Sequence, residues 1–395
     1  MKPDGPSRLD LMAIDVILRR RDDLRRILLE VATHAAAEDE IHRSVRALAG
    51  ARWETIRNRP PHIGSLAVFM PSNNVLYSYV LYALIPALYT GSVTFRPSSR
   101  VEKVTEAVHR LLSEDPIMPN PFPVDMAPVS QRRFLSDCRT ADAMVFCGRP
   151  ENARSVSRAV GPATLLLTFG SGPNPVVVGP DADLSRVVPD LLSTRLYNSG
   201  QDCLSPDVIF VHRSLAGPLT ERLDAALARL AAGERQDPRA EVSPLVYRDA
   251  VQGAAAFFAA SPASDVVRGG GTDIATGWVE PTLLFREWDA TFHPPEFFAP
   301  VFCVMEYESL RQVGDWLDSP EERGRGMYVS LYGMPAETGR LMGTSVVLRD
   351  RTTFDAEDGN RPFGGYGADA SSVHASGRSH ARPLLLSAEL ARRAV

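Results

Sequence analysis

The amino-acid sequence predicts an α/β protein with two doubly wound domains and a helical region at its N-terminal end. Three observations support this prediction. The 395 residues exceed what one compact core usually holds, so two domains are expected. Short apolar runs typical of buried parallel strands alternate with segments of helical periodicity. The same alternation starts again after residue 200, where we expect the second domain to begin.

The first half of the chain reads as helices followed by alternating strands and helices. Residues 8–57 have helical spacing of their apolar side chains, and a proline pair ends this region. The pattern then predicts strands at 64–70, 92–95, 143–146 and 164–168, with helices from 75 to about 91 and at 101–112. The proline-rich region 114–140 is interpreted as a connection.

Within the first domain the pattern also predicts a strand at 175–178 and a helix at 182–198. The alternation restarts after residue 200, with strands at 207–212, 276–285, 301–305 and 326–331, and helices at 214–232, 246–260 and 307–318. The segment 384–390 fits either an edge strand or a terminal helix. We therefore expect an N-terminal helical region at 1–62, a first domain at 63–200, a second domain at 201–350, and a final segment at 351–395 that returns to the first domain.

Composition excludes several classes of function. Apolar residues make up 44% of the chain and the net charge is −5 without a basic stripe, which argues against a nucleic-acid partner. The apolar run 75–93 is interrupted by Pro86 and is short for a membrane span, so a buried helix is expected. The four cysteines lie far apart and form no metal-binding spacing, which predicts a reduced, cytoplasmic protein without a metal site: Cys138, Cys147, Cys203 and Cys303.

Cys203 differs from the other three cysteines, which are interpreted as small buried apolar residues. Gly200 and Gln201 precede it and Pro206 follows, so its backbone lies in a turn between a predicted helix and a predicted strand. A thiol held there can reach a ligand. A thiolate that attacks a carbonyl also needs donors for the resulting oxyanion, and its own backbone N–H supplies one.

Polar residues follow the first two predicted strands. Asn73 and Asn74 come directly after one strand, and a side-chain amide there could be the second oxyanion donor; a plain turn or helix cap is the alternative. Arg96 ends the next strand, near Ser98 and Ser99, where a cation could bind an adenosine ribose or a 2′-phosphate. For Arg96 alone, a surface arginine is the simpler interpretation.

Together these residues give the chain a resemblance to the aldehyde dehydrogenase superfamily, from about residue 64 to residue 367. The resemblance implies two Rossmann-type domains, one for a dinucleotide and one for catalysis. Seven segments in the order of that family carry it: Pro71-Ser-Asn-Asn74, Phe95-Arg-Pro-Ser-Ser99, Met144-Val-Phe-Cys-Gly148, Asn174-Pro-Val-Val-Val-Gly-Pro-Asp-Ala-Asp-Leu184, Asn198-Ser-Gly-Gln-Asp-Cys203, Pro295-Glu-Phe-Phe-Ala-Pro-Val301 and Pro362-Phe-Gly-Gly-Tyr366.

The resemblance implies a role for individual residues. Cys203 would be the nucleophile and Asn73 the oxyanion donor. Glu296 would hold the nicotinamide ribose with Phe298 beside it, and Gly148 would lie beside the pyrophosphate.

Further positions of the implied site face the adenosine or the substrate. Arg96, with Ser98 and Ser99, would face the adenosine ribose; Ser99 stands where many members have a glutamate that prefers NAD, so NADP is favoured over NAD. The expected lining of the substrate pocket is Tyr77, Tyr197, Gln201, Phe169 and Phe363, with Leu76 and Leu204 nearby.

The chain also departs from the family pattern. Phe169 stands where members that oxidise aldehydes to acids carry the glutamate that activates water. A phenylalanine cannot be a general base, a role worth roughly 10²–10⁴-fold in rate. The sequence therefore predicts a reductase that converts an acyl thioester of CoA or a carrier protein to an aldehyde, or the reverse.

Three alternatives remain at this point. The first is ordinary oxidation of an aldehyde to an acid with a base elsewhere in the site. The second uses an acyl phosphate as the donor. The third is a catalytically silent binding protein, since fold alone does not guarantee function. The proline-rich region 114–140 replaces the part in which other members carry an oligomerisation hairpin, and a homodimer without nucleic-acid or membrane partners is expected.

Overall fold

A computed structural model describes residues 8–393 and confirms the expected α/β architecture. Two seven-stranded sheets, each covered by helices on both faces, lie on either side of a cleft. The strands are β1 Ile63–Phe69, β2 Thr90–Arg96, β3 Val124–Met126, β4 Ala143–Cys147, β5 Leu165–Phe169, β6 Val176–Val178, β7 Ile209–His212, β8 Val266–Arg268, β9 Thr272–Asp273, β10 Trp278–Val279, β11 Thr282–Arg286, β12 Val301–Tyr307, β13 Tyr328–Tyr332, β14 Val346–Arg349, β15 Ser371–Ala375 and β16 Arg378–Ala381.

The helices alternate with these strands along most of the chain. The α-helices are α1 Leu9–Arg19, α2 Arg21–Leu28, α3 His34–Asn58, α4 Val75–Tyr79, α5 Glu102–Ser113, α6 Gln131–Cys138, α7 Pro150–Ala159, α8 Leu184–Arg195, α9 Arg213–Leu227, α10 Arg248–Ala260, α11 Leu310–Leu317, α12 Pro320–Arg323, α13 Thr353–Ala356 and α14 Leu386–Arg393. A π-helical turn spans Val80–Leu84, and short 3₁₀ turns span Pro86–Leu88, Tyr197–Gly200, Ala263–Asp265 and Ala336–Leu341.

The first sheet has the strand order β16-β15-β5-β4-β1-β2-β3. Five neighbouring strands run parallel to one another: β3, β2, β1, β4 and β5. Strand β15 pairs with β5 in the antiparallel direction. The order reverses next to β1, which is the switch point where open α/β sheets bind ligands beyond the carboxyl ends of their strands. Helices α1 to α5 and α14 share an apolar core with one face of this sheet, and α6 and α7 pack on the other.

The second sheet has the order β14-β13-β6-β7-β12-β11-β8, with only β8 antiparallel to its neighbour. The chain enters it between β5 and β6, whereas the expected domain boundary was at residue 200. The physical reason is pairing: β6 hydrogen-bonds to β7 and β13, so helix α8 also belongs to this half. The chain returns to the first sheet between β14 and β15.

Several expected elements differ in detail. The region 114–140 contains β3 and α6, because Val124 and Phe134 are buried in spite of the surrounding prolines. The apolar run 75–93 is not one helix: α4 widens into the π-helical turn, and the chain enters β2 at Thr90. Helix α7 and the hairpin of β15 and β16 carry no clear apolar periodicity and were not expected. The segment 384–390 is settled as the start of α14.

Among residues 8–393, no helix is both long enough and apolar enough to cross a membrane.

Candidate active site

A cleft of about 560 Å³ lies between the two sheets, at the carboxyl ends of β1, β2, β4 and β5. Loops from both halves of the chain line it. Of the residues that the sequence singled out, the cleft brings together Cys203, Asn73, Arg96, Ser98, Gly148, Glu296, Phe298, Tyr77, Phe169 and Phe363. The nucleophile, the oxyanion donor and the dinucleotide-binding positions expected from sequence therefore share one space.

The turn that carries Cys203 has an unusual backbone. Asn198, Ser199 and Gly200 all have positive φ (48°, 57° and 84°), which reverses the chain after helix α8. At Gly200 a Cβ atom would lie 2.4 Å from the Ala299 carbonyl oxygen, so only glycine fits. The turn delivers Cys203 half-buried to the wall of the cleft.

A fully buried arginine supports this turn from below. Arg195 donates to the carbonyl oxygens of Gly200 (3.1 Å), Pro206 (3.0 Å) and Ala299 (2.7 Å), and it pairs with Asp207 at 2.9 Å. The backbone N–H of Phe297 donates to the same Asp207 oxygen. Arg195 and Asp207 thereby fix both the nucleophile turn and the loop that carries Glu296.

The thiol of Cys203 is held mainly in its neutral form. Burial raises its pKa well above the usual value, and the nearby carboxylates of Asp202 and Glu296 raise it further. The Cys203 carbonyl accepts a 2.7 Å hydrogen bond from the side chain of Asn174. The backbone is thus fixed, while the sulfur requires a proton acceptor before it can attack a carbonyl.

The loop 71–74 forms the opposite wall. Asn73 lines the cleft, and its side-chain amide has no hydrogen-bond partner among the described residues, so it is free to donate to a ligand. Asn74 has a left-handed backbone (φ 51°), a conformation that asparagine tolerates. Its side chain donates to Asp202 at 2.7 Å and does not cap the following helix.

The end of the cleft that is expected to hold the dinucleotide is rich in cations. Arg96 donates to the carbonyls of Val129 (2.8 Å) and Pro97 (3.2 Å), which holds its guanidinium at the rim, and burial lowers its pKa. Ser98 lines the cleft beside it, whereas Ser99 is exposed and lies outside the lining. Arg100 and Arg149 add two further cations to the same rim.

The geometry around Gly148 fits a pyrophosphate. Gly148 has φ 154°, and a Cβ atom there would lie 3.3 Å from the Phe146 ring. Helix α7 starts two residues later with Pro150, and its first residues line the cleft. A helix N-terminus offers free N–H groups and a positive partial charge to an anion. These features fit a dinucleotide, whose nicotinamide ring would accept a hydride.

Glu296 faces the cleft from the second half of the chain. Desolvation by the surrounding walls and the carboxylate of Asp207 raise its pKa to about 7, although a hydrogen bond from Ser171 opposes this. A carboxyl group with a pKa near neutral can both accept and release a proton during turnover. Phe298 stands beside it with φ 43°.

Aromatic rings form the substrate side of the cleft. Phe169 is buried, and its ring centroid lies 5.6 Å from that of Tyr82 and 6.2 Å from that of Phe363. Tyr77 lies further along this wall and donates to Glu357. Phe169 therefore presents an apolar surface to the cleft that Cys203 also lines.

Two expected pocket residues lie elsewhere. Tyr197 is held by Asp39 and Arg43 (3.0 and 2.8 Å) and does not line the cleft. Gln201 is buried, with its amide bonded to the backbone of Asn198 and Val246. Both lie in the nucleophile turn, but their side chains point into the supporting structure. Leu204 lines the cleft, whereas Leu76 is buried outside its lining.

The structure also adds residues that the sequence analysis missed. Arg43, from helix α3, lines the cleft 4.7 Å from the Tyr77 ring centroid and 3.6 Å from a Glu357 oxygen. Cys147, interpreted from sequence as a buried apolar residue, also lines the cleft, beside Tyr82. No local motif marks these positions, because they meet only through the packing of distant segments.

Comparisons with known proteins agree with this geometry. The family model described as "Aldehyde dehydrogenase family" matches residues 16–378. Among curated proteins, the chain is 26% identical over 245 residues to aldehyde dehydrogenase family 3 comG of Dictyostelium discoideum, covering 60% of this chain and 50% of that protein. It is 25% identical over 258 residues to 2-hydroxymuconic semialdehyde dehydrogenase of Pseudomonas sp. (strain CF600), covering 62% and 53%. The chain thus spans about half the length of these relatives.

Solved structures show the same fold. Succinic semialdehyde dehydrogenase from Streptococcus pyogenes, solved with NADP⁺, superposes with a TM-score of 0.81 at 14% identity, covering 96% of this chain and 90% of that one. Because the family model matches more than nine-tenths of the chain, and because the motifs of that family converge on one cleft, the chain belongs to the aldehyde dehydrogenase family.

Proposed function

We propose that this protein oxidises an aldehyde through a covalent intermediate on Cys203, with NAD or NADP as hydride acceptor. One observation carries the proposal: the Cys203 thiol and the unpartnered Asn73 amide face the same cleft, which continues to the glycine and helix N-terminus suited to a pyrophosphate. An NADP-bound neighbour of the same fold supports the choice of cofactor.

The residues of this chain account for the steps as follows. The Cys203 thiol loses its proton, and its sulfur bonds to the aldehyde carbon. The Asn73 amide and the Cys203 backbone N–H donate to the oxyanion that forms. A bound NAD or NADP would supply the acceptor for the hydride that this carbon loses as its carbonyl re-forms. A thioester on Cys203 remains, and NAD(P)H is the reduced product.

We assign the role of proton acceptor in this scheme to Glu296, which lines the same cleft as Cys203. Its charge acts directly on Cys203, and its pKa of about 7 leaves it partly ionised at neutral pH. The same carboxylate could activate a water molecule to release the acid. This arrangement supports hydrolytic aldehyde oxidation even though Phe169 provides no base.

Transfer of the acyl group to a thiol is the second candidate, and the apolar wall at Phe169 favours it. A buried aromatic ring in the lining that it shares with Cys203 excludes water from that part of the cleft and leaves the thioester for another thiol, such as that of CoA. Run in reverse, this route reduces an acyl thioester to an aldehyde.

Product analysis separates the two candidates. The protein is incubated with a short aldehyde and NADP⁺ or NAD⁺, with and without CoA, while NAD(P)H, free acid and acyl-CoA are measured. Steady acid formation without CoA supports hydrolysis, and NAD(P)H formation that stops after one equivalent unless CoA is present supports transfer. The Cys203→Ala variant is the control. If the wild-type protein gives no NAD(P)H, no acyl adduct and no aldehyde from acyl-CoA, both candidates are rejected.

For the cofactor we propose a preference for NADP. Arg96, Ser98 and Arg100 lie together at the end of the cleft proposed for the adenosine. Position 99 is a serine, so it carries no carboxylate that would repel a 2′-phosphate. Titration of protein fluorescence with NADPH and with NADH measures the preference directly. Tighter binding of NADH would contradict it.

A further inference from the structure

A buried carboxylate connects the two walls that must cooperate in catalysis. Asp202 directly precedes Cys203 and is 3% exposed. One of its oxygens accepts the side-chain amide of Asn74 (2.7 Å), and the other accepts the backbone N–H of Leu204 (2.8 Å). Asp202 therefore bonds both to the loop 71–74 and to the nucleophile turn.

The geometry of Asn74 indicates that this bond is selected over a local one. Asn74 stands at the N-cap of α4, where asparagine usually accepts a hydrogen bond from the first turn of the helix. Here no side-chain cap is made, and the amide reaches across to a residue 128 positions further along the chain. The left-handed φ of Asn74 sets the direction of both its own side chain and the neighbouring Asn73.

Other contacts hold each wall separately. Asn174 bonds to the Cys203 carbonyl and Thr353 to the Leu204 carbonyl, but both come from the second half of the chain and do not touch the loop 71–74. Tyr247 donates to the Ser72 carbonyl without touching the nucleophile turn. Among the side-chain hydrogen bonds of the described residues, the bond between Asn74 and Asp202 is the one that directly joins the loop 71–74 to the nucleophile turn.

We propose that Asp202 is a positioning residue, which sets the distance between the Asn73 amide and the Cys203 sulfur through its hydrogen bond to Asn74. The proposal rests on the proposed function, because it assigns Asn73 to the oxyanion. It predicts that losing this hydrogen bond slows reactions that pass through an oxyanion and spares reactions of the same sulfur that do not.

The donors and acceptors of this hydrogen bond suggest a test in which the residues at positions 74 and 202 are exchanged. In Asp202→Asn, one oxygen becomes an NH₂ group that faces a donor, either Asn74 or the Leu204 N–H, so one bond is lost. In Asn74→Asp, two carboxylates face each other. In the double variant, the asparagine at 202 donates to the aspartate at 74 and accepts from Leu204, so both bonds are restored. Aspartate also tolerates the left-handed backbone at 74.

Two probes of Cys203 make the test specific. p-Nitrophenyl acetate acylates the thiol. The sulfur bonds to the acetyl carbon and an oxyanion forms, and then the ester C–O bond breaks and p-nitrophenolate leaves. Iodoacetamide alkylates the same sulfur by displacing iodide and forms no oxyanion. Neither probe needs a cofactor or an aldehyde, so the test stands apart from the oxidation of any particular substrate.

We expect each single variant to acylate at least tenfold more slowly, and the double variant to recover to within about threefold of wild type. Alkylation should stay equal or become faster in Asp202→Asn, because removing that charge lowers the pKa of Cys203. The exposed Asp181→Asn variant is the control for charge removal alone. NADPH titration and thermal unfolding show whether each variant is folded. If Asp202→Asn does not fold, Asn74→Ala takes its place as the variant that lacks this hydrogen bond.

Three results would overturn the inference. One is unchanged acylation in both folded single variants. Another is a double variant as slow as the product of the two single effects. The third is an equal loss of acylation and alkylation, which indicates a structural role. A wild-type protein that is acylated normally but oxidises no aldehyde would instead reject the proposed function and leave the hydrogen-bond test intact.

Discussion

At the level of single residues, Phe169 bears on the proposed fate of the acyl group. Its ring is buried between Tyr82 and Phe363 at the substrate end of the cleft. A base at this position would face the cleft that Cys203 also lines, whereas the aromatic ring only displaces water. In the proposed scheme, formation of the thioester needs Cys203 and Asn73, whereas its hydrolysis needs a base that Phe169 does not provide.

Replacing Phe169 by glutamate should therefore accelerate acid release. We expect hydrolysis of the acyl-enzyme to become about 10²-fold faster, which is the lower end of the range for a positioned base. The variant should also be less stable, because a carboxyl group is placed in a buried site. Single-turnover release of acid after acylation is the measurement. Phe169→Gln is the matched control, since it adds polarity without a base. Equal rates in both variants would exclude position 169 as a place for the base.

The pKa of Glu296 predicts a pH dependence. Below about pH 7 the raised pKa keeps Glu296 protonated and unable to accept a proton from Cys203 or water. As pH rises through about 7 the carboxylate forms, so kcat/KM for aldehyde oxidation should increase with an inflection near that pH. In Glu296→Gln this increase should be absent. An unchanged inflection in the variant would assign the titration to another group, such as Cys203.

The sequence could predict that Cys203, Asn73, Gly148 and Glu296 share one cleft, because each lies in a short motif at the end of a strand or in a turn. It could not predict that Tyr197 and Gln201 point away from the cleft. Their orientation depends on partners from distant segments, such as Asp39 on helix α3. The same limit hid Arg43 and Glu357, which are separated by more than 300 positions yet meet in the cleft.

At the level of elements, helix α8 and the turn after it form the support of the nucleophile. Arg195 closes this helix and makes all four of its described hydrogen bonds below the turn. Buried ion pairs contribute little net stability, but removing one partner leaves an uncompensated charge. Here that charge would be Asp207, whose pKa burial already raises to about 6.

Arg195→Met should therefore destabilise the protein strongly. We expect a loss of about 3–5 kcal/mol in the free energy of unfolding, from the unpaired Asp207 and from the carbonyls of Gly200 and Pro206, which are left without a donor. Chemical denaturation measures it. Arg186→Met, on the exposed face of the same helix, should change stability by less than about 1 kcal/mol. Similar losses in the two variants would show that the buried pair has no special weight.

The sequence predicted strands correctly where apolar periodicity was strong. It failed where pairing with distant strands determines whether a segment is a strand, or to which sheet it belongs. β1, β5 and β12 were predicted to within two residues at each end. β6 was found as a strand, but its sheet was not, because three valines pair equally well in either half. β15 and β16, with their serines, histidines and arginines, are strands only because β5 offers a free edge.

At the level of the whole molecule, the rim of the cleft is bridged by charges. Asp249, on helix α10 of the second half, pairs with Arg100 at 2.5 Å and with Arg149 at 3.1 Å, both from the first half. These side chains are substantially exposed, so the bridge is weak and sensitive to salt. The carboxylate occupies cations that a dinucleotide phosphate would also attract.

Asp249→Asn should accordingly strengthen cofactor binding. We expect about two- to fivefold tighter NADPH binding at low ionic strength, corresponding to roughly 0.5–1 kcal/mol, with the gain disappearing at high salt. Fluorescence titration at two salt concentrations measures both effects. Weaker binding in the variant would indicate that Asp249 helps to hold the two halves in the binding geometry.

The late return of the chain to the first sheet has a consequence for biosynthesis. β5 lacks one hydrogen-bonding neighbour until β15 forms, about 200 residues later, and α14 closes the core beneath α3 only after that. During translation the second half can assemble while the first still has an open sheet edge. A nascent chain stalled before residue 371 should therefore remain protease-sensitive within 63–169, and chaperone contacts should concentrate on that unfinished edge.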